Sequence, residues 1–319
     1  MARRLLIFLS LLVAGCAGGR ALAQPDANAL FKASREADDD WSYVGVKRLR
    51  RVRSGSDHVV QFRVSHRATP RATYVAVFRD GKTVFEVLEI GDDRYLRRPG
   101  QLWRKDDADA SRHRTALLLN NYRPQSVGTR IIAKRSCLGV KLAPRYPGNP
   151  YQVVWIDKAT RLVLKTQMFD HQGRLTVESE YETIDFHAKF TPRCFQPPLE
   201  ARIQARPEVQ PHFRLVEPAP KAIPPGYQRV QLSAWKSPEG QEFAITRYSN
   251  GLNTLSLIQS NAPLPPPRRR PGQPPKKAPP KPRGPKPILR TVGGIHCALF
   301  GDLDPKLLSR MAASLRASQ

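Results

Sequence analysis

The stretch Tyr151–Phe186, reading YQVVWID-KATR-LVLKTQMFD-HQGR-LTVESEYETIDF, constrains the fold more than any other part of the chain. Three apolar-rich runs are separated by two short polar breaks. In the second run Leu162, Leu164 and Met168 share one side and Lys165 and Gln167 the other. In the third, Leu175, Val177 and Tyr181 oppose Glu178, Glu180 and Glu182. A period of two marks strands that bury one face and wet the other. The breaks carry Asp157, Thr160, Asp170 and Gly173, which is turn chemistry. The stretch therefore reads as an antiparallel meander of three long strands. Its apolar side must lie on a helix, a second sheet or a ligand. The acidic row reads as a solvated face that pairs across strands with basic neighbours such as Lys165, not as a metal or acid–base site.

The same periodicity recurs upstream. Pro25–Asp40 reads as a short helix with Leu30, Ala33 and Ala37 at helical spacing. Strands follow at Trp41–Arg50, Val59–His66, Ala72–Phe78, Thr83–Ile90 and Arg94–Arg98, with Asp80-Gly81 a strong hairpin signal. Ser111–Tyr122 reads as a helix, Thr129–Lys134 as a strand and Arg135–Gly139 as a polar hairpin. Residues 192–226 are rich in proline and read as a linker. Beyond them come strands at Tyr227–Trp235, Gln241–Tyr248 and Thr254–Ser260, the last two joined through an Asn250-Gly251 turn. Residues 263–287 hold eight basic and no acidic side chains among prolines and cannot build a core. Strands Ile288–Val292 and Ile295–Gly301 and a helix capped at Asp304-Pro305 end the chain.

At 319 residues the chain is long enough for one large and one small domain. Its formal net charge of +26 calls for an anionic partner: nucleic acid, an acidic protein or an anionic membrane surface. The N-terminus decides among them. Arg3 and Arg4 precede the apolar run Leu5–Ala14, an export signal too short for a confident membrane span. Nucleic acid is discounted on that ground, and the basic segment 263–287 reads either as a spacer or as an arm for an anionic membrane surface, a polysaccharide or an acidic protein segment. Two processing readings stand side by side. Val13-Ala14-Gly15-Cys16 resembles a lipobox, with a leader of residues 1–15 and Cys16 lipidated. Ala21-Leu22-Ala23 is an ordinary cleavage site, with a leader of residues 1–23. The remaining cysteines have two readings: a Cys137–Cys194 bridge in an oxidising compartment, leaving Cys297 unpaired, or three buried thiols.

The sequence carries no nucleophile elbow, dinucleotide fingerprint or phosphate loop. No catalytic residue, metal site or cofactor is expected from it.

The order of parts resembles the MucB/RseB family of periplasmic regulators of extracytoplasmic sigma-factor signalling. The resemblance rests on Trp41-Ser42-Tyr43-Val44-Gly45 and on Trp155-Ile156-Asp157 through Thr160, Leu162, Leu164-Lys165 to Asp170 and Gly173. It rests further on Pro224-Pro225-Gly226-Tyr227, and on Tyr248-Ser249-Asn250-Gly251-Leu252 with Ser256. Asn250 stands where the family usually has Asp, and the basic segment 263–287 is outside the family pattern.

The resemblance implies an α+β, mainly β fold. Residues 24–191 would form an open antiparallel half-barrel over helices, like LolA and LolB, and residues 227–319 a smaller mixed domain after the 192–226 linker. It implies a non-catalytic, exported protein of the periplasm. Such a protein binds the periplasmic part of a single-span anti-sigma factor, shields it from proteolysis and responds to lipid or lipopolysaccharide-type ligands. The alternative is a lipid or lipoprotein carrier. Phe62, Val64, Leu162, Leu164, Met168 and Val177 are the candidate lipid-cavity residues. Tyr248, Asn250, Gly251 and Leu252 are the candidate partner contacts.

Overall fold

The computed structural model of the protein describes residues 26–53, 56–106, 115–196, 202–203, 210–237, 239–264 and 287–317. The expected leader with Cys16, the start of the second helix and most of the basic segment 263–287 lie outside the described residues.

Two antiparallel meanders fuse into one open sheet. The first is β1 (Tyr43–Arg53), β2 (Ser56–Arg67), β3 (Ala72–Arg79), β4 (Lys82–Ile90), β5 (Asp93–Arg97) and β6 (Arg104–Asp106). The second is β7 (Tyr122–Ile132), β8 (Arg135–Pro144), β9 (Tyr151–Asp157), β10 (Val163–Phe169) and β11 (Leu175–Asp185). β11 returns to pair with β1, and the short β12 (Arg202–Ile203) adds in parallel to β6. The order is β12-β6-β5-β4-β3-β2-β1-β11-β10-β9-β8-β7, so among the described residues β12 and β7 are the edge strands and the sheet does not close. The expected three-stranded meander is β9–β11.

Two helices lie against one end of this sheet. Asp26 caps α1 (Ala27–Glu36), its carboxylate accepting from the Asn28 and Ala29 N–H groups. α1 buries Leu30, Phe31 and Ser34; α2 (Thr115–Asn121) buries Leu118. They pack on Leu138, Val140, Leu142, Val154 and Ile156, all buried. The hairpin expected at Arg135–Gly139 is instead the start of β8. The turn falls two residues earlier, at Ala133 and Lys134, where φ is +48° and +62°. β8 does not alternate because both its faces are covered. Gly139, for example, lies under the Trp155 ring, where an added Cβ would come within 2.9 Å.

A second sheet has the order β14-β15-β16-β18-β17, from β14 (Gln228–Lys236), β15 (Glu242–Ser249), β16 (Thr254–Ser260), β17 (Ile288–Val292) and β18 (Ile295–Phe300). α3 (Pro305–Ala313) covers it, its N-terminus capped by Asp304 through Lys306 N at 2.8 Å. Leu255, Leu257, Leu299 and Met311 are fully buried between them. Part of the expected linker belongs to this unit. β13 (Val216–Pro218) pairs with β19 (Leu315–Ala317), and Val216 is fully buried in the same core. Apolar contact at Val216 outweighs the proline-rich composition around it.

Cys137, Cys194 and Cys297 are free thiols, in place of the Cys137–Cys194 bridge. The reason is placement: Cys137 is buried with Tyr43, Ile132 and Leu164, whereas Cys194 packs near Ala72, Leu88 and Phe195. Burial pushes the Cys137 thiol up to about 11.

The polar breaks of the meander are tied by carboxylates. Asp157 Oδ2 accepts from Arg135 Nε (3.0 Å) and Nη2 (2.8 Å) and from the Thr160 N–H (3.0 Å) and hydroxyl (2.6 Å). Burial alone would raise this carboxyl, but the Arg135 and Thr160 hydrogen bonds overcome it and hold it below the usual range. A carboxyl lowered on folding stabilises above its unfolded value near about 4, and that contribution is lost as pH falls through the folded value. Asp157→Asn should therefore cost about 2 kcal/mol in urea unfolding at pH 7. The gap between variant and wild type should shrink at pH 3, where the wild-type carboxyl is also gaining a proton. A gap independent of pH would contradict the assignment.

Candidate functional site

Around β1, β10 and β11 the strand register sorts the large sheet into two unlike faces. On one, Lys165 sits between Glu180 (2.6 Å) and Glu178 (3.0 Å), Arg50 reaches Glu178 and Arg48 reaches Glu182. Gln61 and Gln167 donate to Glu182 and Glu178. The acidic row is thus a cross-strand ladder paired with Lys165, as its alternation suggests. Among the described residues no group of His, Cys, Asp and Glu is placed to hold a metal ion.

The other face is apolar. Val64, Leu162 and Leu164 are buried in it with Tyr43, Ile132 and Tyr181, and Phe62 packs against them. Met168 and Val177 are cross-strand partners and partly exposed. Four of the six candidate cavity residues therefore lie in one packed cluster. The face continues across β2–β5 through Val60, Phe62, Val75, Val77, Phe85, Val87 and Leu96, which the register places together. All seven are only partly buried. The helices lie elsewhere: α1 packs on β7 and β9, and α2 on β7.

The loop Asn250–Asn253 between β15 and β16 forms the joint between the two sheets. Asn250 is 1% exposed. Its Nδ2 donates to the Tyr122 hydroxyl (2.9 Å) and to Asn149 Oδ1 (3.1 Å). Its Oδ1 accepts from the Leu252 and Asn253 N–H groups, which shapes the loop. Asn121 Nδ2 donates to the Asn250 and Gly226 carbonyls, and the Tyr122 hydroxyl donates to the Pro150 carbonyl at 3.1 Å. Gly251 lies on the backbone of Leu118 in α2, and Leu252 packs against the core beneath α1 and α2. At the same joint the Asp304 N–H donates to the Gly148 carbonyl.

Of the candidates for partner contact, Asn250 is therefore buried and with Gly251 and Leu252 belongs to this internal joint, whereas Tyr248 is buried in the core of the second sheet. Ser249 pairs with Thr254, so the loop has four residues, with Asn250-Gly251 at its start. Asn121, Tyr122, Asn149 and Gly226 complete the joint. Of these, only Gly226 falls in a motif, the Pro224-Pro225-Gly226-Tyr227 segment that carries part of the family resemblance.

The family model described as MucB/RseB N-terminal domain matches residues 27–199. The chain belongs to the MucB/RseB family. Three solved structures extend the likeness into the second sheet. MucB in complex with MucA(peri) superposes with a TM-score of 0.63 at 17% identity, covering 92% of this chain and 100% of that one. The complex of Pseudomonas aeruginosa MucA/MucB gives 0.65 at 16% identity, covering 92% and 99%. MucB by itself gives 0.59 at 17% identity, covering 93% and 99%. At these identities the likeness establishes the fold. No curated protein matches the chain. In this MucB/RseB member the open half-barrel and the smaller C-terminal sheet are both present, and no described helix is long and apolar enough to cross a membrane.

Proposed function

We propose that this protein is a non-catalytic periplasmic regulator that binds the periplasmic segment of a single-span anti-sigma factor, shields it from proteolysis and responds to a lipid-type ligand. The observation that carries the reading is the two-sheet architecture shared over 92% of the chain with MucB solved in complex with MucA(peri). Two further features support it. The strongly basic chain suits an acidic partner segment. The partly open apolar face suits an acyl chain. That same face also suits a carrier of lipids or lipoproteins, which is the second reading.

Affinity capture from crosslinked envelopes of the native host separates the two. Recovery of a single-span protein with a cytoplasmic sigma-binding domain is the expected result. Recovery of lipoproteins or acyl lipids with no such partner would overturn the regulator reading in favour of the carrier.

A further inference from the structure

On β7–β9 the helices cover one side of the sheet, through Leu138, Val140 and Leu142. The alternate residues of β8, Gly139 and Lys141, face the other way, onto the outer side that also carries the acidic ladder. Cations on this outer side are held in two ways. Around β1, β10 and β11 they are neutralised: Arg48, Arg50 and Lys165 each have a carboxylate within 4 Å. On β7 and β8 they are not. The register places Arg123 opposite Ala143 and Gln125 opposite Lys141, so Arg123 and Lys141 share this side. Among the described residues Arg123, Arg130 and Lys141 make no ion pair.

Aromatic rings hold two of these cations instead. The Arg130 guanidinium lies 5.2 Å from the centre of the Trp155 ring, and Lys141 Nζ lies 4.4 Å from the centre of the Tyr151 ring. Tyr151 stacks on Phe169 at 4.6 Å, and all three rings are partly exposed. Val127 and Trp155 meet over Gly139, where an added Cβ would come within 2.6 Å of Val127 Cγ2. Val127 is 40% exposed, and Ile131, turned to the other side of the same edge strand, is 67% exposed. One edge of the sheet thus combines part-exposed rings, exposed aliphatic groups and cations without acids. That is the composition a bilayer boundary selects: rings and aliphatic groups enter the headgroup layer, while long basic side chains extend to the phosphates. A face that only met water would spread its cations among carboxylates, as the neighbouring ladder does.

We propose that β7 and the adjoining outer side of β8 and β9 dock on an anionic bilayer surface, with Val127, Tyr151 and Trp155 in the headgroup layer and Arg123, Arg130 and Lys141 on lipid phosphates. Charge complementarity selects an anionic bilayer over a zwitterionic one. The inference goes beyond the regulator reading. It concerns a surface and not a bound ligand, and it uses the side of the sheet opposite Phe62, Val64, Leu164 and Met168, which docking leaves open.

The test uses the mature chain from Gln24, which lacks Cys16 and any anchor attached there, and vesicles of phosphatidylcholine with or without phosphatidylglycerol. Co-sedimentation should show a preference of at least about tenfold for the anionic vesicles, since each cation at such a surface strengthens binding by about fivefold. Joint substitution Arg123→Gln, Arg130→Gln and Lys141→Gln should weaken that binding by at least about tenfold. A charge-matched variant, Arg268→Gln with Arg269→Gln and Arg270→Gln, should lose clearly less. Circular dichroism and Tm establish that both variants are folded. In a Cys194→Ser background, with Cys137 and Cys297 buried, an environment-sensitive fluorophore on Val127→Cys should shift to the blue on the anionic vesicles, and the same fluorophore on Leu289→Cys should not. No preference for anionic vesicles, equal losses in the two charge variants, or a response at position 289 without one at 127 would overturn the proposal. Capture of the anti-sigma segment by the same variants is measured separately. Loss of capture with vesicle binding retained would assign the face to an acidic protein segment, and would also overturn it.

Discussion

Gly251→Val should release the second sheet from the half-barrel while leaving each sheet folded. Gly251 has φ +93°, a conformation that costs a β-branched residue about 1–3 kcal/mol by itself. Steric overlap with α2 costs more still. A Cβ at this position would stand 2.5 Å from the Leu118 nitrogen and 2.6 Å from its Cα. These are backbone atoms of α2, and α2 cannot retreat without lifting Leu118 off Leu138 and Val140. The loop must therefore withdraw, taking Asn250 and Leu252 with it. The joint is made of a few hydrogen bonds and limited apolar contact, so a loss of about 3 kcal/mol or more is enough to populate the open form. Small-angle scattering should show a larger radius of gyration. Hydrogen exchange should show lost protection around Tyr122 and Asn250 with retained protection in β9, β10 and β16. Unchanged scattering and exchange would contradict the joint as described.

At Asn250 the choice of replacement discriminates between hydrogen bonding and shape. Asn250→Leu removes both side-chain donors and the acceptor that shapes the loop. It leaves Asn149 Oδ1 and the Leu252 and Asn253 N–H groups without their partner. Each buried polar group stranded in this way costs about 1–3 kcal/mol, so the total should reach about 4 kcal/mol, read as a fall in the urea midpoint with an earlier opening of the joint. Asn250→Asp is a different case. Its carboxylate still accepts from both N–H groups, the Tyr122 hydroxyl can turn to donate to it, and the Asn149 amide can rotate to present its NH2. The Asp variant should lose less than half of what the Leu variant loses, in keeping with the family's usual Asp at this place. Equal losses in the two would show that shape, and not hydrogen bonding, holds the loop.

The legible parts of this protein are those where one face is wet and the other dry. β2, β10 and β11 alternate, and the turns at Asp80-Gly81 and Asp157–Arg161 announce themselves through residues that tolerate positive φ or cap their own backbone. β8 is not legible, because Trp155 covers one face and the helices cover the other, which erases its period. The joint is hidden for a different reason. Asn149 and Asn250 look like ordinary turn residues and Asn121 like part of a helix, and their partners lie more than 100 positions away in the chain. Lys47 is masked by its neighbours. In Lys47-Arg48-Leu49-Arg50-Arg51 it reads as one more surface charge. The pairing with Phe62 and Tyr181 puts it on the apolar side.

The proposed binding of the periplasmic segment of an anti-sigma factor requires that the purified components associate. Calorimetric titration of the mature protein with the purified periplasmic segment of the single-span anti-sigma factor from the same host measures this. Saturable binding is expected, with Kd at about the micromolar level or tighter, as specific protein interfaces show. No detectable binding at about a hundredfold higher concentration would refute the regulator function.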